Sequence, residues 1–294
     1  MNKFILLAFA GLISANAYSQ KSNTNVLKLA VDKTKHFAIS TSNASIDIEG
    51  YDGDELIIEA ITNKESTPIP PEAAGLTKIP FPMHPAEDNT ISYKQISQNG
   101  ALYQIGITTK CNYLHIKVPN NIKLFSLNFQ NTRYGGYLNF SNYKGAFQLD
   151  GAVGTVKVSN IGGPFNISVK AETLSVNDVA WNQNAAWPVL DTVISDQPRQ
   201  YLLNYTRSVP FVYPNISPYI IKSHKGYDSN MDITMPGELK AGLYITSREG
   251  SVYSNLPLVG NVNVANTNKP VLMNGGGVKI EIDGGSGDIY LKKQ

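Results

Sequence analysis

"GYLNFSNYKGAFQLDGAVGTVKVSNIGGPFNISVKAETLSV", residues 136–176, carries glycines at 136, 145, 154 and 163, each nine positions after the last. Each glycine opens the same pattern: any residue, apolar, polar, apolar. The apolar pairs are Leu138/Phe140, Phe147/Leu149, Val156/Val158 and Phe165/Ile167, and Glu172 opens a fifth, Leu174/Val176. Alternation with period two marks a half-buried strand. Glycine turns the chain between strands because it enters positive φ without steric cost. The pair Ser141-Asn142 recurs 18 residues later as Ser159-Asn160. This predicts an all-β chain, a flattened β-solenoid with two nine-residue units per coil and coils about 4.8 Å apart. A β-sandwich meander uses strands of the same length and is the alternative. On either arrangement Phe147 points inward, while Asn139, Gln148, Lys157, Asn166 and Ser175 point outward.

The beat returns towards the C-terminus as "GLYIT" from Gly242, "GSVYS" from Gly250, "GNVNV" from Gly260 and "GDIYL" from Gly287. The glycine-rich "NGGGVKIEIDGGSGDIYLKK", residues 274–293, belongs to this series. Ile280/Ile282 and Ile289/Leu291 are its inward pairs, and its glycines are corners. Three chemical readings of it fail on spacing. A dinucleotide fingerprint lacks its third glycine and the following helix. A nucleophile elbow around Ser286 has Asp288 where glycine belongs. A calcium nonapeptide needs several copies and an aspartate one position later. Nearer the N-terminus, "HFAISTSNASIDIEGYDGDELIIEA", residues 36–60, repeats the alternation with Ala38/Ser40 and Ile46/Ile48 as paired positions. "ISYKQIS" and "YLHIKV" add strands between residues 91 and 118.

The chain opens "MNKFILLAFAGLISANAYSQ". Lys3, an apolar run from Phe4 to Ile13 and Ala15-Asn16-Ala17 form the pattern of a secretory signal peptide over residues 1–17. No later stretch is long and apolar enough for a transmembrane segment. Export to the periplasm, cell surface or medium follows as the expectation. Residues 18–125 form an N-terminal β region containing the Pro-rich loop 64–90. Residues 126–294 form the solenoid repeat region, interrupted by an insertion at 181–230. Cys111 is the only cysteine, so the fold has no intramolecular disulfide. Charged residues make up 16% of the chain against about 25% in an average protein, and the net charge is +2. With no basic cluster, nucleic acid is not an expected partner. Asparagine, which tolerates the left-handed backbone region, is abundant at 29 residues.

The signal peptide, "IDIEGYDGDELIIEA" and the terminal "NGGGVKIEIDGGSGDIYLKK" together resemble the bacterial putative-adhesin family, secreted β-solenoid domains of unknown function. The likeness covers roughly residues 30–60 and 115–294. It implies an architecture and carries over no catalytic residues. The insertion at 181–230 departs from the family pattern.

Aromatic residues gather in that insertion. Trp181, Trp187, Tyr201, Tyr205, Phe211 and Tyr213 are the candidate ligand-binding residues, as rings that stack on a sugar face or a peptide. A lid packed on the solenoid flank is the other reading of the same segment. His36, His84, His115 and His224 show no metal-ligand spacing. Asp52, Asp54 and Glu55 of "YDGDE" suit a solvated turn better than a calcium loop. No catalytic residue, cofactor or metal is expected. The expected function is therefore a non-enzymatic, exported protein of the cell envelope or surface, with adhesin-like binding of a surface glycan or protein. The alternatives are a polysaccharide-active lyase or glycosidase on a β-helix, and a purely structural envelope protein. Glycoside hydrolysis needs two carboxylates about 5–9.5 Å apart, and the outward positions of the repeats are poor in acids.

Overall fold

A computed structural model describes residues 19–21, 26–34, 36–42, 45–61, 91–99, 102–109, 113–130, 136–188, 217–223, 229–260 and 269–294. The stretches read as a signal peptide (1–17) and as a Pro-rich loop (64–90), and Cys111, lie outside these residues. The described residues contain strands and turns and no helix.

The nine-residue beat sets half a coil. Strands β10 (Tyr137–Tyr143), β12 (Thr155–Ile161) and β14 (Thr173–Val179) stack in parallel, 18 residues apart. Strands β11 (Ala146–Ala152) and β13 (Phe165–Lys170) pair in parallel on the opposite sheet. All five predicted apolar pairs are buried. Before them in the chain run β1 (Ser19–Lys21), β2 (Val26–Ala30), β3 (His36–Ser42), β4 (Ser45–Tyr51), β5 (Glu55–Ile61), β6 (Ile91–Asn99), β7 (Leu102–Thr109), β8 (Tyr113–Pro119) and β9 (Leu124–Gln130). After them come β15 (Tyr219–Ser223), β16 (Asn230–Met235), β17 (Ala241–Thr246), β18 (Val252–Ser254), β19 (Leu258–Val259), β20 (Val271–Met273), β21 (Val278–Asp283) and β22 (Ile289–Lys293).

These strands form two sheets. The twelve-stranded sheet runs β1-β6-β7-β3-β9-β11-β13-β15-β21-β17-β20-β19, and the ten-stranded sheet runs β18-β22-β16-β14-β12-β10-β4-β8-β5-β2. The centre is parallel. Antiparallel strands flank it, with β1, β2, β5 and β6 at one end of the two sheets and β19 and β20 at the other end of the twelve-stranded sheet, while β18 ends the ten-stranded sheet in parallel. This is the solenoid, and the meander alternative fails on the parallel ladders.

Two coils are out of chain order. The coil β3–β4 sits between β7–β8 and β9–β10. The coil β21–β22 sits between β15–β16 and β17–β18. The glycine-rich stretch 274–293 is therefore an interior coil with neighbours on both sides.

Side chains at one register height stack into ladders. On the twelve-stranded sheet Tyr103, Phe37, Phe125, Phe147, Phe165 and Tyr219 occupy successive strands of one inward row. Phe147 and Phe165 stack at 5.4 Å between centroids, and Phe147 meets Phe140 of the opposite sheet edge-on at 4.5 Å. Truncating Phe147 removes contacts in three directions. Phe147→Ala is expected to cost about 3–5 kcal/mol in urea unfolding. The inward pair of β3 is Phe37/Ile39, not Ala38/Ser40, because Phe37 aligns with Phe125. The bulky residues take the core, and Ala38 and Ser40 take the outer face.

Tyr143 lies in the same core, fully buried, and its hydroxyl has no hydrogen-bond partner among the described residues. Burial raises its phenol well above the usual range. An unpaired buried hydroxyl costs about 1–3 kcal/mol. Tyr143→Phe is therefore expected to raise stability by about 1 kcal/mol, and a matched pair of urea melts checks the sign.

Gly275, Gly276 and Gly285 of the glycine-rich stretch take positive φ as expected, but the beat glycines of 136–176 work differently. The left-handed corners are Asn142 (φ 59°), Asn160 (φ 52°) and Asp178 (φ 51°), each 18 residues apart. Asn160 donates its amide to Asn142 Oδ1 at 2.7 Å, linking successive corners. Gly145 and Gly163 have ordinary φ. A Cβ on Gly163 would lie 2.1 Å from the carbonyl oxygen of Gly145 in the next coil. Gly163 is required by close approach of coils, and Gly145 by the Tyr143 side chain packed against it.

Candidate functional site

The chain leaves the repeat after β14 and buries Trp181 at once. Its ring packs on Phe165 and Tyr219 at 5.8 and 5.0 Å, and its indole N–H donates to the Thr234 carbonyl. Trp181 is thus core, and a stacking ligand has no access to it. Trp187 is half-buried and donates its indole N–H to the Ser217 carbonyl at 2.9 Å. Tyr201, Tyr205, Phe211 and Tyr213 lie outside the described residues. The stretch read as insertion 181–230 also contains β15, which carries Tyr219 in the aromatic ladder.

The outer faces of the two sheets differ. On the twelve-stranded sheet Ala38, Ser126, Gln148 and Asn166 form one cross-strand row. Gln148 points away from the core as expected, but it is 4% exposed. The Ser126 hydroxyl donates to Gln148 Oε1 at 3.4 Å, which leaves His36 Nε2 as donor to Ser126 Oγ at 2.6 Å. Gln148→Ala would strand that hydroxyl, so its expected cost is about 1 kcal/mol and not the negligible cost of an exposed site. His36 is buried, and desolvation pushes its pKa down to about 4. Above pH 6.5 the ring is neutral in both states and adds no pH dependence. Below that, the unfolded chain binds a proton that the folded chain refuses, so stability falls until about pH 4. The expected loss is about 3 kcal/mol across that window. His36→Gln should flatten this slope in urea melts at stepped pH.

The outer face of the ten-stranded sheet is more open. A row crosses it through His115, Asp47, Asn139, Lys157 and Ser175 and continues through Asp232, Tyr290 and Tyr253. At one end acids gather. His115 lies 3.8 Å from Glu49 and 3.6 Å from Glu59. Asp47 accepts from the Tyr113 hydroxyl and from the Asn139 amide. The face is therefore richer in carboxylates than the repeats alone suggested, because β4 and β5 supply them. Desolvation first, with Asp47 adding to it, raises the phenols of Tyr113 and Tyr137 above their ordinary value. Neither phenol is set up as a proton-abstracting base near neutral pH.

At the other end Tyr253 stacks on Tyr290, with centroids 5.1 Å apart and rings within 11° of parallel. Tyr253 is 52% exposed, and among the described strands β18 pairs with β22 alone. Lys292 bridges to Asp232 at 2.6 Å and stands 5.9 Å from the Tyr290 ring centroid. Asp288 accepts from the Ser251 backbone N–H and the Tyr290 hydroxyl. The stack is thus held from below while one ring face stays open. The sequence signal was present in "GSVYS" and "GDIYL", whose tyrosines occupy the outward position of the beat.

The turn at 52–55 is tied internally. Asn120 donates to Asp52 at 2.9 Å and Lys144 stands 3.7 Å away, and both hold the Asp52 carboxyl below its usual range. Asp54 pairs with Lys33. Among the described residues no group of three or more His, Cys, Asp or Glu side chains could hold a metal ion. No described helix is long and apolar enough to cross a membrane.

No family and no curated protein matches the chain. Among solved structures, the chain is similar to one described as a "putative cell adhesion protein" from Clostridium sporogenes. That similarity has a TM-score of 0.35 at 9% identity, over 94% of this chain and all of the other.

Proposed function

We propose that the protein is a non-enzymatic, exported component of the cell envelope or surface that binds a surface glycan or protein. The binding face is the outer side of the ten-stranded sheet. One observation carries this reading: the ordered Tyr253–Tyr290 stack presents an open ring face at the end of a polar row. A purely structural role does not need an exposed aromatic pair held in fixed geometry by Asp288 and Lys292. The signal-peptide pattern supports export.

The test is retention of cell-envelope components by immobilised protein. The double variant Tyr253→Ala/Tyr290→Ala should lose the retained component at unchanged folding, because both rings face outward. Retention of every component by the double variant contradicts the assignment of the face.

A further inference from the structure

The chemistry of the open face narrows the ligand, on the reading that this face is the binding surface. From β10 to β16 its outward positions are hydroxyls and amides apart from Lys157 and Asp232. Tyr137, Thr155 and Thr173 make one row, and Ser141, Ser159 and Asn177 make another. Lys157 is the one charged group on β10, β12 and β14 among these outward positions, and the Asp232–Lys292 pair neutralises itself. At the far end Asp47, Glu49 and Glu59 outnumber the outward lysines Lys28 and Lys117. A polyanion therefore meets a net excess of acids at that end and Lys157 in the middle.

A peptide fits this face poorly too. Tyr253 is the one large hydrophobic residue of the face exposed among the described residues, so side-chain anchors have no pockets. A sugar chain fits. Its rings have an apolar side that stacks on an open aromatic face, and its hydroxyls donate and accept in turn. Ser, Thr and Asn present both roles. The rungs from β4 to β18 span roughly 29 Å at about 4.8 Å each, with register kept throughout.

We infer that the ligand is a neutral, extended oligosaccharide. One pyranose stacks on Tyr253 at the end of the sheet, and the chain runs across the strands towards Asn139. Tyr253 is the affinity-determining residue, and the hydroxyl and amide rows give length dependence.

Calorimetric titration with neutral gluco-, N-acetylglucosamino-, manno- and xylo-oligosaccharides tests this, with polygalacturonate as the polyanion. At least one neutral hexasaccharide should bind, tenfold or more tightly than its disaccharide. Tyr253→Ala should weaken it at least tenfold, and Thr173→Val should weaken it severalfold. Tyr244→Ala, on the outer face of the other sheet, should change nothing. Binding of polygalacturonate alone, or equal affinity for di- and hexasaccharide, overturns the inference. If no neutral glycan binds while envelope retention still depends on Tyr253, the ligand is a protein: the glycan inference falls and the binding face stands. If retention is also independent of Tyr253, both fall.

Discussion

Deletion of residues 278–294 is expected to abolish folding of the C-terminal coils, not merely to shorten the stack. The reason is the coil order. β21–β22 lies between β15–β16 and β17–β18, so its removal breaks two interfaces on each sheet. The deleted segment contributes Val278, Ile280, Ile282, Ile289 and Leu291 to the core, each at most 5% exposed. At about 1.5–3 kcal/mol per buried aliphatic side chain, the loss is of the same order as the stability of a whole domain. Losing a terminal coil from a solenoid stacked in chain order costs one interface and leaves the rest intact. A truncated protein whose melting temperature stays within a few degrees of the full chain would show that this coil is terminal and contradict the topology.

Gly287→Ala is expected to be among the most damaging of the single glycine substitutions, with Gly250→Ala beside it. Its Cβ would lie 2.2 Å from the Ser229 carbonyl oxygen, and a Cβ on Gly250 would lie 1.9 Å from the oxygen of Gly287. Three corners thus stack backbone on backbone, and no rotamer change relieves the clash. Overpacking costs about 1–3 kcal/mol where side chains can yield, so about 3 kcal/mol or more is expected here. Gly275→Ala is the control, with open space around it but φ of 82°. Its strain alone costs about 1–2 kcal/mol. Urea melts of the two variants separate close approach from backbone strain. A larger effect at Gly275 would reverse the roles assigned to these glycines.

The repeat was legible because its apolar pairs obey a strict local period. Leu138/Phe140 through Leu174/Val176 needed no long-range information to be placed. Register on β3 was not legible in the same way. Ala38 and Ser40 follow the beat, yet Phe37 and Ile39 bury more apolar surface and align with Phe125 and Leu127. Coil order was invisible as well, since any coil presents the same two edges to its neighbours. The glycine corners misled because spacing marks a constraint without naming it. In the repeat left-handed geometry falls to Asn142, Asn160 and Asp178 while Gly163 makes room for a carbonyl of the adjacent coil, whereas Gly275, Gly276 and Gly285 do take positive φ.

The candidate site shows the same division. Tryptophans attract attention by rarity, but Trp181 is spent on capping the ladder at Phe165 and Tyr219. Tyr253 and Tyr290 are ordinary in sequence and become a pair only because β18 and β22, 37 positions apart, are neighbours. Their adjacency follows from the displaced coil, which composition and spacing do not encode.

Hydroxyl-radical footprinting of the full protein, with and without cell-envelope extract, tests the binding face most directly. Tyr253 and Tyr290 should lose most of their oxidation on adding extract, while Tyr244, half-buried on the outer side of the twelve-stranded sheet, should be unchanged. Protection of Tyr244 with Tyr253 still fully reactive would place binding on the wrong sheet and contradict the proposal.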